Sequence, residues 1–171
     1  MRVYLHLSFV LFAMVLAACA PASQEPASGG QTEAEAVVEA IEDMEGQYAF
    51  AIALGDLEAI LAIYSDDGVH MVPNQPAVIG KSAIRTLWEE RFEQNDYQLT
   101  ATVEGVKVAG DLAVSRITMS GKVTPKDGSE PNAIDLKGIT LYQRQSDGSW
   151  KRVWSTYNSN TPPASAAPET S

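Results

Sequence analysis

Between Glu33 and Leu54 apolar residues return every third or fourth position, at Val37, Ile41, Met44, Tyr48 and Ala51. That spacing lays one stripe along an amphipathic helix. Acidic residues at positions 33, 35, 39, 42, 43 and 45 crowd its first half, where the helix dipole favours negative charge, and read as a solvated face. Gly55 suits the end of that helix, and Asp56 suits the cap of the next. The second helix is expected over Leu57–Tyr64, burying Leu57, Ile60, Leu61 and Tyr64. Asp66-Asp67-Gly68 reads as a turn, Val69 to Val72 as a short strand, and Pro73-Asn74-Gln75-Pro76 as a loop. Ser82 caps a third helix reaching about Gln94, with Ile84, Leu87, Trp88 and Phe92 facing inward.

Beyond Gln94 the apolar period changes from helical to alternating. Strands are expected near 97–108, 111–124, 133–145 and 150–160, with Ser146-Asp147-Gly148-Ser149 as a hairpin turn. Helices followed by an antiparallel meander predict an α+β domain, with three N-terminal helices packed on the concave face of a curved antiparallel sheet. Such a cone has an interior that can hold a ligand.

The two ends of the chain follow other rules. Met1-Arg2 supplies positive charge, Val3 to Val15 is mostly apolar, and Leu16-Ala17-Ala18 leads into Cys19. This describes a secretory signal, too short for a comfortable membrane span. Leu-Ala-Ala-Cys resembles a bacterial lipobox, which implies cleavage after residue 18 and lipid on the Cys19 sulfur. Residues 19–32, rich in Ala, Pro, Ser, Gly and Gln, read as a tether, and 161–171 as a similar Pro/Ala/Ser tail. The folded domain is therefore expected over 33–160. In a host with two membranes, Ala20 after Cys19 does not resemble an inner-membrane retention signal, so the expected location is the outer membrane facing the periplasm.

Composition narrows the chemistry. With 22 acidic against 12 basic side chains among 171 residues, the net charge of −10 argues against nucleic acid and against a basic membrane-binding face. No Lys or Arg occurs between Arg2 and Lys81. A single cysteine excludes an intramolecular disulfide. The two histidines, His6 and His70, with scattered carboxylates, show no metal-ligand spacing. No nucleophile elbow or Gly-rich phosphate loop is present. No cofactor or metal is expected.

Three segments carry a family resemblance: Tyr48 to Leu57, Tyr64-Ser65-Asp66-Asp67-Gly68 and Val78 to Ile84, strengthened by the ending Asp147 to Ser159. Together they resemble the SnoaL-like, ketosteroid-isomerase-like branch of the nuclear-transport-factor-2 superfamily, most closely the family called domain of unknown function 4440. The resemblance implies the cone fold over nearly all of 33–160. It implies no single reaction, since this fold hosts isomerases, dehydratases, cyclases and binding modules.

Ketosteroid isomerase uses an aspartate base and an oxyanion hole made by a tyrosine and a protonated aspartate. By resemblance, Tyr48 occupies the position of the oxyanion tyrosine, Val72 that of the base and Tyr142 that of the oxyanion aspartate. Valine cannot accept a proton, so the steroid-isomerase reaction in its usual form is not expected. His70 shares a strand face with Val72 and is a competent acid or base near neutrality. Two readings of it stand: a catalytic group acting with Tyr48, or a buried histidine bonded to a neighbouring backbone or hydroxyl group. Asp66 and Asp67 read as a solvated turn.

On the last strand, alternation puts Val153, Ser155 and Tyr157 on one face and Arg152, Trp154 and Thr156 on the other. The resemblance places the first set inside the cone. Tyr48, His70, Val72, Asn74, Trp88, Tyr142, Ser155 and Tyr157 are thus the candidate pocket, suited to a small, mostly apolar ligand. The outer face with Arg116 and Trp154 is expected to pair two sheets in a homodimer, as in many relatives. Three functions remain open: a lipid-anchored binder of a small apolar molecule, an isomerase, dehydratase or cyclase using His70 and Tyr48, or a dimeric interaction module with a filled cone.

Overall fold

A computed structural model of the chain describes residues 32–161. The expected signal segment, Cys19, nearly all of the tether and nearly all of the tail lie outside the described residues.

Thr32 opens helix α1 (Glu33–Leu54) with a capping box: its hydroxyl accepts from the Glu35 N–H, and the Glu35 carboxylate accepts from the Thr32 N–H. Gly55, at φ 67°, ends α1 in the left-handed conformation that costs glycine least. Asp56 caps α2 (Leu57–Ile63) by accepting from the Ala59 N–H at 3.0 Å. The chain then enters β1 (Tyr64–Met71) directly, crosses to the two-residue β2 (Val78–Ile79), and forms α3 (Gly80–Gln94). Four long strands follow: β3 (Asn95–Ala109), β4 (Leu112–Pro125), β5 (Asn132–Arg144) and β6 (Trp150–Ser159). Among the described residues no helix is long and apolar enough to cross a membrane.

Several boundaries differ from the sequence reading. Tyr64 is the first residue of β1 and not the last of α2. Asp66-Asp67-Gly68 lies within β1, where the pairing with β6 skips from Tyr64 to Val69. Asp66 there forms an ion pair with Lys81 at 2.8 Å, across to the start of α3. That helix begins at Gly80, two residues before Ser82, and has no side-chain cap.

The strands form one sheet in the order β2-β1-β6-β5-β4-β3. Every neighbouring pair is antiparallel except β1 and β6, which run parallel. The sheet is therefore mixed where an antiparallel one is expected. Its reason is topological: the last strand returns to the middle of the sheet and inserts beside the first long strand, and the meander fixes its direction.

The helices cover one face. Along β4, Ala113, Ser115, Ile117 and Met119 are buried beneath them, while the alternating Leu112, Arg116 and Ser120 are exposed. Two bulges change that parity elsewhere. In β3 the register shifts between Val103 and Gly105, and in β6 it shifts as Leu141 pairs with Trp154 but Tyr142 pairs with Arg152. Each bulge inserts one residue and bends its strand, which curves the sheet around α1. On the outer face Trp154 is 56% and Ile139 53% exposed, beside exposed Arg116.

The buried apolar residues fall into two clusters. Val37, Ile41, Ala113, Tyr142 and Trp150 pack together at one end of α1. Tyr48, Ile52, Ile60, Tyr64, Ile84 and Trp88 form the heart of the larger cluster at the other.

Two glycines test this account of the backbone. Gly121 in β4 sits at φ 146°, and a Cβ there would run into the Gln98 carbonyl oxygen of β3. Gly121→Ala is expected to lower the unfolding free energy by about 2 kcal/mol or more, the scale of such backbone strain. Gly46 lies in the exposed middle of α1 with open space around it, so Gly46→Ala should raise stability by about 0.5–1 kcal/mol. Urea denaturation of both variants checks the pair of signs.

Candidate functional site

The centre of the described domain is a buried ion pair. Glu45 lies on the same side of α1 as Ile41, Tyr48 and Ile52, and its side chain has no exposure. The sequence reading places it on the solvated acidic face, and the structure corrects this: of the six acidic residues, Glu45 is the one that falls on the buried stripe. Its partner is Arg152 of β6, 1% exposed. Alternation places Arg152 on the outer face with Trp154. The β6 bulge at Val153 reverses that, so Arg152, Ser155 and Tyr157 all face inward.

Arg152 Nη2 donates to both Glu45 oxygens at 2.6 Å. Its Nη1 donates to the Tyr64 hydroxyl at 3.2 Å, and its guanidinium lies 3.9 Å from the Tyr48 ring centre. The Tyr142 hydroxyl donates to Glu45 Oε1 and stands 3.0 Å from Ser115 Oγ. Burial opposes the Arg152 charge, but the Glu45 carboxylate and the surrounding tyrosine oxygens outweigh it and hold the guanidinium firmly protonated. Burial, then the Glu45 charge, pushes the Tyr142 hydroxyl above its ordinary range.

Tyr64 connects this pair to a second polar group. Besides Arg152, its hydroxyl lies 3.5 Å from the Tyr48 hydroxyl, 3.3 Å from His70 Nδ1 and 3.2 Å from Ser155 Oγ. His70 Nδ1 and Ser155 Oγ are 2.8 Å apart. Strand pairing explains the meeting, since His70 of β1 stands beside Ser155 of β6. Burial first, then the charges of Arg152 and Arg91, push the His70 pKa down from 6.5 to about 3. The imidazole is therefore neutral at physiological pH. With Nδ1 engaged, Nε2 is buried without a protein partner.

Between these groups and the sheet lies a cavity of about 340 Å³. Ile52, Leu99, Ile117, Met119 and Leu136 supply apolar wall, with aromatic rings from Tyr48, Trp88, Tyr97 and Tyr157. Trp88 meets Tyr48 edge-on at 6.1 Å, and the Tyr157 ring lies 5.7 Å from His70. One turn beyond Trp88 on α3, Arg91 stacks over the indole at 4.9 Å and donates to the Tyr157 hydroxyl at 3.0 Å. Four unpartnered buried polar atoms belong to wall residues: His70 Nε2, Trp88 Nε1, Thr140 Oγ1 and Arg152 Nε.

Of the sequence candidates, Tyr48, His70, Trp88, Ser155 and Tyr157 come together around this cavity. Three stand apart from it. Val72 is buried just past the end of β1 but does not line the wall. Asn74 is exposed in its loop, at φ 60°. Tyr142 is buried in the smaller cluster, where Glu45 and Ser115 take its hydroxyl. Sequence reasoning misses Glu45, Tyr64, Arg91 and Arg152. An acidic residue on an apolar helical stripe was the available signal for the first. Among the described residues no group of three or more His, Cys, Asp or Glu stands together.

Two measurements probe this centre. Glu45→Gln leaves a buried guanidinium without its counter-charge and should cost about 3–5 kcal/mol, whereas Glu45→Leu with Arg152→Met should recover most of that loss. Chemical denaturation of the single and double variants reads it. For His70 the folded-state pKa lies below the unfolded one, so the unfolded chain takes up the proton first. Stability should therefore fall as pH drops from about 6.5 towards 3, by up to about 1.4 kcal/mol per unit from this residue. In His70→Gln that contribution disappears; a stability difference between the two proteins that stays flat across the window contradicts the assignment.

With the geometry in hand, comparison with known proteins places the fold. The SnoaL-like domain matches residues 44–153. A ketosteroid isomerase-like protein from Erwinia carotovora atroseptica is 26% identical, with a TM-score of 0.68 over 72% of this chain and 96% of that one. A nuclear transport factor 2-like superfamily protein from Salmonella enterica serovar Typhimurium is 14% identical, with a TM-score of 0.66 over 81% and 99%. A third similar structure, an NTF2-like protein of unknown function from Pseudomonas putida, is 22% identical, with a TM-score of 0.60 over 75% and 97%. No curated protein matches the chain. Helix order, curved sheet and the extent of the match agree: the chain belongs to the SnoaL-like domain family.

Proposed function

We propose that the chain is a lipid-anchored envelope protein whose cavity binds a small, mostly apolar or aromatic molecule, without proton transfer of the ketosteroid-isomerase type. The cavity carries this reading. Its volume of about 340 Å³ suits a small molecule, and apolar and aromatic side chains line most of it. The hydroxyl-, imidazole- and guanidinium-bearing residues of the wall, Tyr157, His70 and Arg91 among them, supply a few polar groups within that apolar lining. Val72, at the position of the family's base, carries no titratable group and stands off the wall. The anchor rests on the Leu16-Ala17-Ala18-Cys19 segment behind an apolar stretch. In a host with an outer membrane, the chain faces the periplasm from that membrane.

A second reading, an isomerase, dehydratase or cyclase, is favoured by one observation. His70 is held neutral, with Nε2 unpartnered on a wall residue and the Tyr48 hydroxyl reached through Tyr64. A neutral imidazole has one lone pair and one N–H, so it can take or give a proton at a bound molecule. On this reading, His70→Gln stops turnover of a molecule it still binds; on the first, the bound molecule leaves unchanged from either protein.

Native mass spectrometry of the full chain, extracted from its own membrane in mild detergent, tests the proposal. The expected spectrum shows a chain beginning at Cys19, heavier by its acyl groups, with a small-molecule adduct. Leu136→Trp, which fills the cavity from β5, should keep the acyl mass and lose the adduct. An unacylated chain overturns the anchor. No adduct, and no thermal shift with a panel of apolar and aromatic compounds, overturns the binding function.

A further inference from the structure

The charges around the cavity are one-sided. No Asp or Glu is among the residues of its wall, although the chain carries a net charge of −10. Three basic residues are present in that wall: Arg91, Lys137 and Arg152. Arg152 is matched by the two oxygens of Glu45. Lys137 is exposed and gives its ammonium to Asn160 Oδ1 at 2.7 Å. Arg91 is different. It is half-buried, and among the described residues no carboxylate stands within 4.0 Å of its guanidinium. Its guanidinium donates to the Tyr157 hydroxyl, and the guanidinium carbon lies over the Trp88 ring, 4.9 Å from its centre.

We propose that the molecule held in this cavity is a small amphipathic monoanion, an apolar or aromatic carboxylate whose charged end is taken by Arg91 beside the Tyr157 hydroxyl. This rests on the binding function proposed above and adds the chemical class of the ligand. A guanidinium has five N–H donors, and the bond to Tyr157 uses one. The remaining donors form the planar fork that matches a carboxylate bidentately. The Trp88 ring beside it and the bond to Tyr157 restrain the Arg91 side chain, so less freedom is lost when the anion binds. The apolar part then lies along Ile117, Met119 and Leu136. The exposed acidic residues elsewhere do not cancel the local charge, because solvent and salt screen them over about 10 Å. The same positive field acts on His70, whose protonation both Arg91 and Arg152 oppose after burial.

Isothermal titration of the full chain at pH 7.5 with 4-phenylbutyrate and with its uncharged amide tests the charge requirement. The acid is expected to bind about tenfold or more tightly than the amide, the usual scale of one charge-assisted contact. Arg91→Gln should bring the two to within about twofold, and an unchanged cooperative thermal unfolding transition in the variant reports that the domain is still folded. Arg91→Lys, which restores the charge without the fork, should recover part of the preference for the acid. Equal binding of acid and amide by the unaltered chain overturns the proposal, as does a preference for the acid that survives Arg91→Gln. If neutral apolar compounds bind and phenylbutyrate does not, the charge assignment alone falls. If no compound of either kind binds, the ligand-binding function falls and takes this inference with it.

Discussion

A guanidinium enters a protein interior only if something replaces the water it gives up, and the unreplaced cost in a low-dielectric interior amounts to several kcal/mol per ion. In this domain both terminal nitrogens of Arg152 find protein acceptors, while Nε finds none. Glu45 takes Nη2 with both oxygens, Tyr64 accepts from Nη1, and the Tyr48 ring lies against the guanidinium. Tyr142 satisfies the carboxylate from its other side, and Ser115 holds Tyr142 in turn. A pair of this kind contributes little net stability compared with apolar residues of the same volume. Its effect is positional. It ties α1 to β6, and so fixes where the Tyr48, Tyr64 and Ser155 hydroxyls stand around His70. The Arg152 charge, after burial, also helps to keep His70 neutral.

The helical part of this arrangement is legible in the sequence because each signal is local. The start and end of α1, the Asp56 cap and the inward faces of Ile84 and Trp88 need only a few consecutive residues to read. The four long strands are likewise legible from alternation and turn residues, within about two residues at their ends. Tyr48 as a pocket residue required the family resemblance, and Ser155 and Tyr157 required it together with strand parity. The parity argument fails at Arg152 for a definite reason. Alternation assumes an unbroken strand, and the extra residue at Val153 turns 152 and 155 to the same face. Nothing in one strand announces a bulge, which exists only relative to its neighbour. Glu45 is hidden differently, as one acidic residue among six, separated from its partner by 107 positions.

The cavity shows how a widely used fold acquires individual chemistry. Helices and sheet follow the SnoaL-like architecture, while Val72, a residue with no titratable group, is buried away from the cavity wall. The wall residues of this cavity are cationic and include no carboxylate, in a chain whose net charge is −10. An occupant is selected by the few groups that line a cavity, and the overall charge governs solubility and long-range encounter instead.

The strand order has a consequence for how the domain comes into being. Synthesis runs from the amino terminus, yet the strand made last, β6, lies between β1 and β5 in the sheet. Until residues 150–159 join the sheet, β1 lacks its long neighbour, Glu45 has no cation and His70 has no Ser155. The earlier segments can form helices and the β3–β4–β5 meander, but they cannot close the centre of the domain. Folding therefore waits for the carboxyl-terminal strand and joins contacts far apart in the chain, a topology that makes folding slow and all-or-none. The centre of the domain stays open for as long as β6 is missing from the sheet.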